Sequence, residues 1–238
     1  MPNTYAHGAR GRIAWLRALG GLAAAGLLLT FTYMDTYAQQ GDSAVLLGGD
    51  GEYYIAALPA GWTRHDASAE RDVRHGDWFP AGQTPARWTD RVTLQVVPEL
   101  AGKAPRTFLD QITNLRGEVC EGTFATEVET TVLNGFPTGF RIIACTRDTR
   151  TNTGAVAVLR VVTGDRALYV SQRVFQVAPF APGGLPVSGA ALEAARAVIE
   201  YGVPCRRGDP GRPCPEAWRP VLDGLPADRS LVVFPAPP

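Results

Sequence analysis

The sequence is short of the residues on which much enzyme chemistry depends. Of its 238 residues, three are histidine, four cysteine and two methionine. Serine occurs only at 43, 68, 171, 188 and 230, and never within G-x-S-x-G or S-x-x-K. Neither a nucleophile elbow nor a Ser-Lys pair is therefore written into the chain. There is no C-x-x-C and no H-x-x-x-H, the close pairs from which zinc sites are built, so no metal site is expected. No phosphate loop or dinucleotide fingerprint is present, and no cofactor is expected. Gly48-Gly49-Asp50-Gly51 is glycine-rich, but it joins two strand-like runs instead of opening a helix. Lysine is nearly absent: Lys103 stands alone among 23 basic residues, and 23 acidic residues balance them. Such a chain carries no electrostatic footprint for nucleic acid.

What is present begins with an export signature. Arg10, Arg12 and Arg17 precede an apolar run from Ala18 to Phe31, which leads to the small-residue site Thr36-Tyr37-Ala38. That order is the order of a secretory signal peptide, with cleavage expected between Ala38 and Gln39. The run is shorter than the roughly 20 residues of a membrane span, so no stable membrane insertion is expected after cleavage. Removing three Arg and one Asp with the signal leaves 20 basic and 22 acidic residues in a 200-residue chain. This is one domain of ordinary size, expected in the periplasm or secreted.

Four cysteines remain: Cys120, Cys145, Cys205 and Cys214. An even number in an oxidising compartment points to two disulfides. Of three pairings, Cys120–Cys145 with Cys205–Cys214 is favoured, because each pair brackets a segment able to turn back on itself.

The hydrophobic pattern is strand-rich. Ala44 to Leu47 and Tyr53 to Leu58 read as a hairpin across the glycine-rich turn. The charged stretch from Arg64 to Asp77 is strand or loop. From Trp88 to Val97 the residues alternate, with Val92, Leu94 and Val96 on one side and Arg91, Thr93 and Gln95 on the other. A helix is expected from Pro105 to Gly117, with Phe108, Leu109, Ile112 and Leu115 as its apolar face and Arg116 towards water. Asn134-Gly135 and Thr163-Gly164-Asp165 mark two further hairpins. A second helix is expected near Gly189 to Tyr201, capped by Ser188. The expected fold is α+β: an antiparallel β-sheet built of hairpins, with two main helices packed on one face and disulfide staples. The domain is expected over 39–203, followed by a Pro-rich, mostly irregular extension over 204–238 closed by a Cys pair.

Several short stretches occur together. Leu58-Pro59-x-Gly61-Trp62 is followed by Trp78-Phe79-Pro80-x-Gly82-Gln83-Thr84, then Trp88-Thr89 and Thr93-Leu94-Gln95. Cys120, Cys145 and Gly164-Asp165-x-x-Leu168-Tyr169-Val170-Ser171-Gln172 complete the layout. It resembles a group of small exported proteobacterial proteins of unknown function. In element order it is more distantly similar to the PsbP-like fold of accessory and adaptor proteins. The resemblance implies a non-catalytic binding role and carries over no metal-binding or partner-binding residue.

Three constellations are candidates for function. Gln83 and Trp88 lie in a Pro/Gly-bounded segment before a regular strand, and are the candidate binding residues. The expected partner is an envelope protein or a small ligand. His65 and His75, with Asp66, Glu70, Asp72 and Asp77 around them, offer the alternative of a periplasmic hydrolase; the simpler reading is a solvated polar segment. Arg207-Gly208-Asp209 looks like an adhesion tripeptide, but Gly208-Asp209-Pro210-Gly211 is also an ordinary turn sequence.

Overall fold

The computed structural model describes residues 43–65, 74–225 and 231–235; for Ser43 and 231–235 it describes the backbone alone. The expected signal peptide and the Ala38–Gln39 junction lie outside the described residues, as do Asp66, Glu70 and Asp72.

Two antiparallel sheets make the frame. The first hairpin, β1 (Ser43–Gly49) and β2 (Glu52–Ala57), has the predicted bounds to within two residues. The polar stretch after it supplies β3 (Thr63–His65) and β4 (Arg74–Phe79), and the alternating run is β5 (Asp90–Val97). Helix α1 (Pro105–Gly117) starts at the predicted proline. Next come β6 (Thr123–Ala125), β7 (Glu129–Leu133), β8 (Phe136–Asp148), β9 (Thr153–Thr163) and β10 (Leu168–Val177). Asn134 and Gly135, with φ of 47° and 77°, make the β7–β8 turn, where both residues must be left-handed. Helix α2 (Gly189–Glu200) starts at Ser188, whose Oγ accepts the Ala191 N–H at 3.2 Å.

The larger sheet has the order β3-β4-β5-β10-β9-β8-β6, with β7 sharing β8's outer edge. The smaller sheet runs β11-β2-β1-β12, where β11 is Val203–Arg206 and β12 is Leu231–Pro235. The segment expected as an irregular extension therefore supplies two of the smaller sheet's four strands. It also supplies the short helix α3 (Arg219–Asp223), whose Leu222 packs with Trp218 on Ala44, Leu46, Tyr53 and Ile55. Both favoured disulfides are formed, Cys120–Cys145 and Cys205–Cys214.

The α+β class holds, but the two main helices lie on opposite faces of the larger sheet and not on one. Strand β9 shows why. Ala157, Leu159 and Val161 point to α1 and pack with Phe108 and Leu109. Val158 points the other way and packs with Ala195 and Ile199 of α2. A strand covered on both sides has no polar face, so alternation could not assign the helices to sides. On the α2 side the larger sheet also meets the smaller one. Val45, Leu47, Tyr54 and Ala56 close there on Val92, Leu94, Val96, Val162 and Tyr169. Gly139 lets α1 come close to β8: a Cβ there would sit 2.7 Å from Pro105 Cβ.

One helical position differs from its expected side. Leu115 is 49% exposed, whereas Arg116 is half-buried. The buried stripe of α1 runs 105, 108, 109, 112, 116, and the next position inward after Ile112 is four residues on. Arg116 takes it and borders a small groove with Cys145, Ala155 and Ala157.

Candidate functional site

Helix α1 lies over β6, β8 and β9. At the other end of the same sheet face, β3, β4 and β5 present polar and aromatic side chains. Register determines which. Asp77 pairs with His65 on one side and with Thr93 on the other, and His75 pairs with Gln95. Paired residues share a face, as do residues two apart on a strand. His65, His75, Asp77, Phe79, Arg91, Thr93 and Gln95 therefore all face the α1 side. The partly buried Trp88 packs against that side's hydrophobic cluster.

The aromatic rings form a connected row. The Trp88 and Phe79 rings meet at 6.2 Å and 61°, and Phe79 meets the His65 imidazole at 5.4 Å and 77°. These are edge-to-face contacts, the favourable arrangement of ring quadrupoles. The Arg91 guanidinium carbon lies 4.5 Å from the Trp88 ring centre, in cation–π range. Arg91 Nη1 is 3.6 Å from Asp77 Oδ2, while the Thr93 hydroxyl donates to Asp77 Oδ1 at 2.5 Å. Phe79 is fully buried and Thr93 nearly so, whereas His65, His75, Asp77, Trp88, Arg91 and Gln95 are each part exposed.

Gln83, part exposed, ties the segment before β5 together. Its Oε1 accepts the N–H groups of Thr89 at 2.7 Å and Asp90 at 3.2 Å, and its Nε2 donates to Thr89 Oγ1 at 3.2 Å. Its polar atoms are thus occupied in closing the 83–90 turn. These bonds hold the backbone on the C-terminal side of Trp88. Of the other aromatic residues, Tyr53, Tyr54, Trp78 and Tyr169 are buried in the core.

His65 and His75 do share this face, with Asp77 and Thr93 among their described polar neighbours. Asp77 is engaged by Thr93 and Arg91, and His65 rests on Phe79. Among the described residues, no group of three or more His, Cys, Asp or Glu is placed to hold a metal. The Arg-Gly-Asp tripeptide is tied inward: Arg207 Nη1 donates to the Leu222 carbonyl at 3.0 Å, and Asp209 accepts from Arg212 Nε at 2.8 Å. A cleft of about 330 Å³ separates that loop from α3.

Arg91, Phe79 and Arg116 were not singled out from sequence. Arg91 was legible in principle. It lies on the polar side of β5, three residues from Trp88. Phe79 and Trp88 meet only through the Gln83-closed turn, which no spacing rule predicts.

No family model matches the chain, and no curated protein sequence matches it. Solved structures similar to it include the Ran-binding protein Mog1p of Saccharomyces cerevisiae, with TM-score 0.43 and 7% identity over 63% of this chain and 88% of that one. A protein of unknown function from Pseudomonas aeruginosa, PA94, gives TM-score 0.35 and 13% identity, covering 74% of this chain and 92% of that one. LpqN of Mycobacterium tuberculosis, a protein involved in cell envelope biogenesis, gives 0.28 and 13%, covering 69% and 84%. At these scores none of the likenesses assigns a family or a function. Among the described residues, no helix is long and apolar enough to cross a membrane.

Proposed function

We propose that this protein is an exported, disulfide-stapled binding domain of the bacterial envelope. It works without catalysis and engages an envelope protein or small ligand through the β3–β5 end of its α1-side sheet face. The observation that carries this reading is the Trp88 set. An indole braced by Phe79, covered by the Arg91 guanidinium and held by a dedicated Gln83 turn is a rigid amphipathic anchor. Such anchors (a half-exposed Trp beside an Arg) concentrate binding energy at protein surfaces. The two disulfides support a location outside the cytoplasm. The balanced charge supports a partner other than nucleic acid.

Chemical cross-linking in intact cells, followed by purification of the protein, tests the reading. Wild-type protein should recover a specific adduct that Trp88→Ala loses and Val132→Ala, on the exposed β7 edge, retains. An adduct untouched by Trp88→Ala would overturn the assignment of this face. The periplasmic hydrolase is disfavoured by the engagement of Asp77 and the packing of His65.

A further inference from the structure

The loop closed by Cys205–Cys214 faces α3 across the cleft of about 330 Å³. That volume lies at the lower end of small-molecule sites and would hold about ten waters. Pro210, Pro213, Cys214 and Leu222 give the cleft an apolar lining. Its charged lining is Arg206, Arg207 and Asp209 from the loop and Arg219 and Asp223 from α3. Leu222 and Cys214 pack on the smaller sheet, whereas Trp88 packs on the α1 side of the larger one, so the two places are separate.

Turns from both sheets hold the loop in place. The Arg207 N–H donates to the Gly51 carbonyl at 2.8 Å. Asn134 Nδ2 donates to the carbonyls of Pro204 at 2.7 Å and Pro213 at 2.9 Å, one on each side of the loop. Arg206 and Arg212 both pair with Asp165, and Arg212 pairs with Asp209 as well. These contacts sort the charges. Arg206, Arg212, Asp165 and Asp209 neutralise one another. Arg207 Nη1 donates instead to a neutral group, the Leu222 carbonyl, at 3.0 Å. Arg207 is exposed, as is Asp223, and neither has an ion pair among the described residues. Arg219 reaches Glu216 only at 3.8 Å, with the two side chains 65% and 88% exposed, a pair worth little. The cleft therefore carries cations and a carboxylate that line one space without neutralising each other.

We propose that this cleft binds a small zwitterion, a short peptide with free ends, whose carboxylate meets Arg207 and Arg219 and whose α-ammonium meets Asp223. Guanidinium groups present paired N–H donors to a carboxylate, and Asp223 accepts from the ammonium. An apolar side chain of the peptide lies against Pro210, Pro213 and Leu222. A multiply charged anion such as phosphate would meet Asp223, and a simple cation would meet two arginines, so each is disfavoured against a ligand carrying both charges. The disulfide and the bonds from Gly51, Asn134 and Asp165 fix the loop wall beforehand, which limits the ordering cost of binding.

Titration of the oxidised, isotope-labelled protein with alanyl-leucine, its N-acetyl form and its C-terminal amide tests this by NMR. Alanyl-leucine should saturably shift the Arg207 and Arg219 Nε–H and the Asp223 backbone N–H. Each capped form should bind about fivefold more weakly or worse. Asp223→Asn keeps the size of an exposed side chain and removes its charge. It should weaken the free dipeptide to the same degree and leave the N-acetyl form unchanged. Arg219→Gln should weaken the free and N-acetyl forms and leave the amide unchanged. Equal affinities for the three forms would overturn the proposal, as would wild-type affinity in the Asp223→Asn protein. So would shifts confined to residues outside the cleft, or no saturable shift at all. Tighter binding of the N-acetyl form than of the free dipeptide would make the cleft a plain anion site and overturn it too.

Discussion

Glu52 is fully buried, and its carboxylate is held by neutral donors. It accepts the N–H groups of Asp165 at 3.0 Å and Arg166 at 3.1 Å, and the Tyr169 hydroxyl at 3.1 Å. It thus bolts the smaller sheet to the β9–β10 turn of the larger one. Gly164 is required beneath it, since a Cβ there would lie 2.0 Å from Glu52 Oε1. This explains the run Gly164-Asp165-x-x-Leu168-Tyr169 as a structural motif. Glu52→Gln keeps the shape but turns one acceptor into a donor facing donors. The expected cost is about 1–3 kcal/mol, read from urea unfolding. Burial, and then the nearby Glu52 carboxylate, push the Tyr169 phenol above its ordinary range. Because the folded value is the higher one, this group's stabilisation is complete below the unfolded tyrosine value of about 10 and is lost as pH rises beyond it. Stability of the wild type should fall in that alkaline window more steeply than that of Tyr169→Phe. Equal slopes would show that another group governs the alkaline limb. Arg160, 5% exposed, is a second buried bolt: its Nη1 donates to the carbonyls of Ile199, Glu200 and Gly202 at the end of α2. Arg160→Met strands these acceptors and should cost about 3 kcal/mol or more by the same measurement.

At the scale of the element, the two staples are unequal. Cys120–Cys145 spans 25 residues and Cys205–Cys214 spans 9. In the chain-entropy treatment they restrict the unfolded chain by about 3.5 and about 2.5 kcal/mol. Replacing each pair by serine should therefore lower the unfolding midpoint more for the longer loop. The reverse order would place the weight on native packing of Cys205, which lies in the core under Trp218. Local punctuation made several elements legible: Pro105 started α1, Asn134-Gly135 turned β7 into β8, and Ser188 capped α2. Where a residue's side depends on its distant neighbours, sequence misleads. Leu115 looked like the better core residue than Arg116 until β8 and β9 supplied an apolar bed for an arginine stem. Strands β11 and β12 were hidden because they are short, lie among prolines, and exist only as partners of β2 and β1.

The described domain is a stack: α3 on the smaller sheet, that sheet on the larger one, and α1 on the far side. This stacking covers Tyr53, Tyr54 and Trp78 and leaves one end of one face to Trp88. Trp88 was a candidate in the sequence by its chemistry, an amphipathic indole beside a regular strand. Of its companions, Arg91 was within reach of the strand pattern, but Phe79 and His65 could not be read, because β3, β4 and the Gln83 turn bring them to Trp88 only in three dimensions. An exported origin makes its own prediction. Protein recovered from the native envelope should begin at Gln39 and gain about four mass units on reduction, two hydrogens for each disulfide opened. A full-length mass would instead place the protein at the membrane through residues 18–34.

The most direct test of the binding face is a photo-reactive amino acid placed at Gln95, in the β5 row beside His75, with Val132 as the control site. Irradiation of intact cells should yield a specific adduct from position 95 that Trp88→Ala removes, and none from position 132. Adducts of equal strength from both positions, or one from position 95 indifferent to Trp88, would contradict the account.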